Sequence, residues 1–455
     1  MRDTRLGQLA TEKNLFKVTA VLMLLIPVSE ILTEIGWRFS HEITPSLFQP
    51  VILGLYGALG TLLVVLCKAG ELKNAKWYAS DVFYLLLVFF MAISAVFSKN
   101  PGVYSDGIVL ISENPLHFLA YYALFFSGTR IKSSEYRRKL LILLLVIAAV
   151  QGVVAFFQTF NIEIAQCLLI RHDRAAYGLT QNSNYYGGLS VFLLACISGV
   201  YLFSEKISRS KAFRFAMPVF AGFVFYTMMG SRARLAWAGF IAMTFFFIVS
   251  GLVMIKGNIG KDELKRFFIR FAVLAVVFAV VFALTHVLTN FVSEEIQRTQ
   301  YEVEGKVDAG LGSDRLINWE YGIESIPHHW LTGIGLDNYR EVFFENPRYV
   351  EGTYFQDKAH NEYLHVMATQ GVLAFAVYVV LFIRICVLSV KRVFRGGDDA
   401  DQAYTWIFLG MFVTYLAQAF LNTSVINVAM YFWLVAGLLE PCETPIKLIN
   451  KQNNK

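Results

Sequence analysis

Cysteine is scarce in this sequence, and its spacing points to no metal or redox chemistry. The five cysteines, at 67, 167, 196, 386 and 442, are odd in number and scattered, with no CxxC pair. That pattern argues against a disulfide framework and against a zinc site. Charge is scarce too. Asp, Glu, Lys and Arg make up 16% of the 455 residues while 56% are hydrophobic, which excludes an ordinary water-soluble domain and places the chain in a bilayer. No tandem repeat or low-complexity tract is visible, and no small-x-small cleavage site follows the first apolar run. That run therefore reads as a retained span, not a removed signal peptide.

Apolar runs of about 20 residues, long enough to cross a roughly 30 Å hydrocarbon core as helices, are abundant. Twelve spans are expected, near 15–36, 46–67, 78–97, 108–127, 140–159, 183–203, 215–230, 235–255, 271–291, 361–383, 402–421 and 423–440. The fold class predicted is all-α, a polytopic membrane protein of about 12 transmembrane helices. Alternating the connections puts most of the 40 basic residues on one side, with the clusters at Arg130–Lys139, Lys256–Arg270 and Arg384–Arg395 among them. The positive-inside rule makes that side cytoplasmic and places both termini there. The net charge of +6 is then topological and implies no nucleic-acid partner. Residues 1–290 hold spans one to nine, 291–359 form a helical cap outside, and 360–455 hold spans ten to twelve with a cytoplasmic tail. The cap carries 13 acidic residues against six basic ones, so Arg315 sits in an acidic setting.

On this topology the unusual polar residues gather on the outer side. Arg171 and Arg174 precede span six and lead into "GLTQNSNYYGG"; span eight opens with "GSRARLAW"; the cap carries Arg315; span ten opens on "HNEYLHVMATQG". An arginine at a membrane surface is ordinary, because its guanidinium can snorkel to water. Arg232 differs because it follows Gly230 and Ser231 where a helix N-terminus faces the same side. Free amide N–H groups and a guanidinium together make a cradle for an anion such as phosphate. His360 sits at a helix start, where the imidazolium is disfavoured and a neutral ring can accept a proton. The plainer alternative is a histidine that caps the interface and bonds a loop carbonyl. Glu30 and Glu34 in span one, and Glu113 and His117 in span four, read as internally paired in preference to lining a groove.

The segment "HNEYLHVMATQGVLA" resembles the signature of the bacterial O-antigen ligase and polymerase superfamily, with His360, Asn361 and Gly371 at matching spacing. "GSRARLAW" resembles its Ser-Arg motif at Ser231 and Arg232. "RLINWEYGIESIPHHWLTGIGLDNY" resembles its cap arginine followed by a Pro, Gly-x-Gly and Asn-aromatic segment, at Arg315, Pro327, Gly333, Gly335 and Asn338. "YGLTQNSNYYGG" resembles its earlier loop motif at Asn184. Departures at Ala233–Arg234, where glycine is commoner first, and at Trp319, where ligases often have leucine, bear on subtype.

The resemblance implies a GT-C-like fold and glycosyl transfer on the outer face of the cytoplasmic membrane. The donor would be a glycan on undecaprenyl diphosphate, and the acceptor a hydroxyl of lipid A core, of a growing glycan, or of a protein. It implies His360 as general base, Arg232 and Arg315 as the diphosphate-binding catalytic pair, inversion at the anomeric carbon, and no metal or other cofactor. Arg171, Arg174, Asn184, Ser231, Arg234 and Asn361 are the expected substrate-binding residues. Ligase activity is favoured over polymerase, with protein glycosylation third.

Two other classes stay open on sequence. A transporter or flippase would carry ionisable groups near the midplane, where His286 stands. A cytoplasmic synthase would want a DxD-like site, as at Asp399 and Asp401.

Overall fold

The computed structural model describes residues 9–39, 44–71, 77–100, 113–160, 175–180, 182–203, 207, 210–256, 260–289, 315–350, 355–395 and 399–440, with isolated positions between 293 and 304. Among these residues every regular element is helical. In chain order they are α1 (Glu12–Phe39), α2 (Thr44–Glu71), α3 (Ala79–Val96), α4 (Pro115–Gly128), α5 (Ser134–Thr159), α6 (Ser183–Leu202), α7 (Lys211–Gly230), α8 (Arg234–Lys256) and α9 (Lys261–Thr289). Then follow α10 (Arg315–Ser325), a 3-10 turn at Ile326–His328, α11 (Glu341–Phe344), α12 (Glu362–Gln370), α13 (Val372–Arg395), α14 (Asp399–Gln418) and α15 (Ile426–Leu439).

Nine of the described helices are long and apolar enough to cross a membrane: α1, α2, α3, α5, α6, α7, α8, α9 and α13. The other three expected spans fall on α4, α14 and α15. Both α4 and α15 have 14 residues, about 21 Å of helix at 1.5 Å per residue.

Burial sorts the bundle into inner and outer helices. From Tyr185 to Leu202 every residue of α6 is buried, and so is every residue of α15, the pattern of a helix surrounded on all sides. In contrast, α9 leaves Val276, Val280, Leu284 and Val287 exposed, as expected of a face turned to lipid. Inner helices meet backbone to backbone at Gly128 and Gly437. A Cβ at Gly437 would lie 2.1 Å from the Phe125 carbonyl oxygen, and one at Gly128 2.7 Å from that of Leu434, so only glycine permits this crossing of α4 and α15.

Two expected spans begin later than the apolar runs suggest. Span ten is not continuous from 361. It breaks at Gly371, φ +90°, into the short α12 and the long α13. Span four begins at Pro115, because Asn114 caps α4 by accepting N–H bonds from Leu116 and His117. Glu113 therefore stands before the helix, not within it.

Candidate active site

His360 occupies a non-helical segment ahead of α12. Three parts of the chain hold that segment directly, and a fourth braces one of them. On α10, the Asn318 side chain donates to the carbonyls of Lys358 (3.1 Å) and Ala359 (3.0 Å), and the Trp319 indole donates to Ala359 O at 2.9 Å. Tyr339 in turn donates to Asn318 O at 2.8 Å. In the loop between α14 and α15, Thr423 Oγ1 accepts the His360 N–H at 2.9 Å, and Ser424 N donates to the Glu362 carboxylate. Glu362 N donates to Ala419 O at 2.8 Å, at the C-terminal end of α14. The result is a strained backbone: His360 has φ +51°, a left-handed conformation that costs a non-glycine residue about 1–3 kcal/mol unless its surroundings enforce it.

Beneath the segment lies a buried ion cluster. The Lys358 ammonium donates to a Glu113 carboxylate oxygen at 3.1 Å and to the Asp337 carboxylate. Asp337 also accepts the Glu113 backbone N–H at 2.7 Å. The second Glu113 oxygen accepts from Tyr121 (2.7 Å) and Ser424 (3.0 Å). Burial opposes charge on Lys358, but Asp337 and then Glu113 outweigh it and hold the ammonium above the usual lysine range. Burial likewise pushes the Asp337 carboxyl up, against the pull of Lys358.

Glycines seat the 315–350 segment on α12. Ile334 N donates to Ala368 O (2.8 Å) and Gly335 N to Thr369 O (3.1 Å), which satisfies carbonyls that a helix end leaves open. This approach leaves no room at Gly333, φ +69°, where a Cβ would lie 2.1 Å from the Thr369 carbonyl carbon. The same segment is tied to the end of α3 by Lys99 N to Ile334 O (3.1 Å) and Asn338 Nδ2 to Ser98 Oγ (2.7 Å).

Arg315, at the start of α10, is brought close to His360. Burial first, then the positive charges of Arg315 and Lys358, push the imidazole down to about 4. The ring is neutral at pH 7, as expected, but the cause is desolvation and two cations. Arg232 lies in the turn between α7 and α8 with φ +56°, and Arg234 is the first residue of α8. Ser231 is buried and spends its hydroxyl on that turn, donating to Met228 O at 2.6 Å and accepting from Ala233 N at 3.3 Å. Asn361 caps α12 through its side-chain oxygen, which accepts from Leu364 N at 3.2 Å. Both therefore have structural work that the substrate-binding expectation did not foresee.

The Arg232 turn and His360 share one end of the bundle. A Cβ at Gly187, in the first turn of α6, would lie 2.4 Å from the Ala233 Cβ, so α6 starts directly against that turn. The next residue, Gly188, accepts from the Gln418 side chain at 3.1 Å and lies against Asn422, the neighbour of Thr423. Asn184 sits in that same first turn, its N–H on the Asn182 cap at 2.8 Å. Arg171 and Arg174 lie outside the described residues.

Residues 219–379 match the family model described as O-Antigen ligase. This match covers about a third of the chain and supports its likeness to the O-antigen ligase and polymerase superfamily. Among curated proteins, none matches it. The O-antigen ligase domain runs from α7 into α13 and so contains Arg232, Arg315 and His360. Together with nine helices of membrane-crossing length among the described residues, it supports a membrane enzyme similar to O-antigen ligases and polymerases.

Several residues around the ligase domain's histidine escaped sequence reasoning: Lys358, Asp337, Asn318, Thr423 and Ser424. A lysine two residues before His360 was a signal for the first, given an unmatched Glu113. Thr423 and Ser424 lie outside the matched segment and carry no local signal. Two other buried groups are each half satisfied: Glu30 Oε2 accepts from Gln151 at 3.1 Å and His117 Nδ1 accepts from Asn114 N at 3.3 Å, while Glu30 Oε1 and His117 Nε2 have no hydrogen-bond partner among the described residues. The Glu34 side chain is outside the described set. Asp401 of the DxD-like pair is bound by Arg137.

The ligase domain also borders an apolar crevice of about 400 Å³ between α6, α7, α8 and α9, lined by Phe225, Trp237, Phe240, Phe271, Phe278 and Phe282 among others. Trp237 is one turn along α8 from Arg234.

Proposed function

We propose that this enzyme transfers a glycan from undecaprenyl diphosphate to an acceptor hydroxyl on the outer face of the cytoplasmic membrane, with a lipid A core sugar as the favoured acceptor. One observation carries the reading: a histidine held neutral in a strained, clamped conformation beside Arg315, at the bundle end that also presents Arg232. In the reaction, the acceptor oxygen forms a bond to the anomeric carbon from the face opposite the leaving group. The bond from that carbon to the diphosphate oxygen breaks, and its electron pair leaves with undecaprenyl diphosphate. His360 takes the acceptor's proton, a role worth about 10²- to 10⁴-fold in rate. Arg232 and Arg315 stabilise the charge growing on the diphosphate, replacing a divalent metal.

The low proton affinity of His360 fits this order of events. A diphosphate bound at Arg315 offsets one of the cations that depress the imidazole, so donor binding itself makes the ring a better base. The crevice below Arg234 supports an amphiphilic donor, with an anionic head at the arginines and an apolar tail between α8 and α9.

The test is transfer by purified protein in detergent, with undecaprenyl diphosphate-linked glycan as donor, lipid A core and carrier-linked glycan as competing acceptors, and EDTA present. Glycan on the core supports a metal-independent ligase. Lengthened carrier-linked glycan makes the enzyme a polymerase. No product with either acceptor, or product only after a divalent metal is restored, overturns the reading.

A further inference from the structure

Three charges are buried together where apolar side chains would cost less. Glu113 is 1% exposed, Lys358 5% and Asp337 8%. Desolvating such a group costs several kcal/mol per ion, and well-packed hydrophobic residues often serve stability as well or better. The charges come from three separate parts of the chain: the lead-in to α4, the turn before α11, and the segment that carries His360. What a buried ion pair supplies, and apolar contact does not, is a single register, because only one placement of the three pieces leaves no charge unpaired.

We propose that Lys358 is a positioning residue, whose ammonium on Glu113 and Asp337 sets the depth and register at which His360 meets Arg315 and Thr423. Only Ala359 separates Lys358 from His360 along the chain, which leaves little slack. The Lys358 and Ala359 carbonyls are already fixed by Asn318 and Trp319, and both Asp337 (φ +55°) and His360 (φ +51°) are held left-handed. If the ammonium is released, the clamp keeps its outer bonds but loses the one below, and the strained His360 backbone is free to relax. This inference rests on the proposed function for its catalytic consequence, but its geometric content is independent of it.

The charged and titratable groups facing His360 are Arg315 on α10, Lys358 on its own segment, and His365 on α12. Thr423, from the α14–α15 loop, brings no charge. Removing Lys358 takes away one of the two cations that depress the imidazole and leaves Arg315 in place.

The experiment compares Lys358→Met, Lys358→Arg and the charge-compensated pair Lys358→Met with Asp337→Asn. Two readouts are taken: kcat and KM with undecaprenyl diphosphate-linked glycan, and the rate at which diethyl pyrocarbonate acylates His360, followed by mass spectrometry against pH without substrate. Wild type should be acylated at a nearly constant rate across about pH 5 to 8, since only the neutral ring reacts. In the compensated variant, kcat should fall about 100-fold, the scale expected when a reacting group is misplaced by about 1 Å, with KM changed less than about threefold. Its acylation curve should gain a midpoint inside that pH window. Lys358→Arg should recover part of kcat. A folded compensated variant with wild-type kcat and an unmoved acylation curve overturns the proposal. If the wild-type protein transfers no glycan, the function fails, and the acylation curve alone then decides the positioning role. Should both methionine variants fail to fold, Lys358→Arg decides: a curve shifted from wild type supports the role, and wild-type behaviour in both readouts with the larger guanidinium overturns it.

Discussion

Thr423 holds the backbone of His360: the histidine N–H donates to the threonine hydroxyl at 2.9 Å across 63 residues of chain. This bond joins the segment ahead of α12 to the loop between α14 and α15, and the placement of the His360 side chain depends on it. Thr423→Val keeps the shape and removes the acceptor. Leaving a buried N–H unpaired costs about 1–3 kcal/mol, so the variant should lose activity and melt lower, while Thr423→Ser should recover both. Thermal unfolding and glycan transfer, measured on the same preparations, check this.

The pH dependence of transfer should be unusual for a histidine. Because burial, Arg315 and Lys358 push His360 down to about 4, kcat/KM should stay flat as pH falls through the ordinary histidine value of about 6.5. It should decline only on approaching about 4. Stability has the same sign: below about 6.5 the unfolded chain binds the proton that the folded site refuses. This contribution is therefore present at neutral pH and lost as pH falls towards about 4. His360→Ala should abolish transfer and, in a melting series, remove that acid sensitivity. An acid limb centred near 6.5 in the wild-type enzyme would refute the assignment of the base.

Arg232→Lys should lower kcat/KM by about 10- to 100-fold, because an ammonium is a point charge and cannot reproduce the guanidinium fork on a diphosphate. Arg315→Lys should do the same and also alter the acid limb, since of the two arginines it is Arg315 whose charge acts on His360. Steady-state kinetics with EDTA present separate the two.

Gly333→Ala should be among the most damaging small substitutions. At φ +69°, with a Cβ position 2.1 Å from the Thr369 carbonyl carbon, alanine forces the 315–350 segment off the end of α12. A loss of about 2–4 kcal/mol is expected from the backbone conformation and the clash together, read as a lowered melting temperature with parallel loss of transfer. Gly54, with nothing near its Cβ position, is the control: Gly54→Ala should be neutral or better.

Apolar run length was enough to locate the helices, since a bilayer requires long apolar stretches with internally satisfied backbones. It was not enough to locate their ends. The break between α12 and α13 depends on the Leu331 carbonyl crossing within 2.5 Å of where a Gly371 Cβ would stand, a contact across 40 residues that no window of sequence reports. The start of α4 was placed too early as well, at 108, although Asn114–Pro115 is a local cap signal that marks it at 115. The same division holds at the site. His360, Arg232 and Arg315 could be singled out from motifs that keep their spacing. The groups that hold His360 in place come from Glu113, Asn318, Asp337 and Thr423, and their meeting is a product of tertiary packing alone.

The clamp on His360 has a consequence for how the protein is made. Its last contacts, Thr423 and Ser424, emerge from the ribosome some 60 residues after the histidine and only once α14 has been threaded into place. Until then Glu362 has no Ser424 amide and the His360 N–H has no Thr423 hydroxyl. A nascent chain already carrying every motif of the matched segment would therefore still lack two of the bonds on this stretch of backbone, which is completed only once α14 and the loop after it are in place.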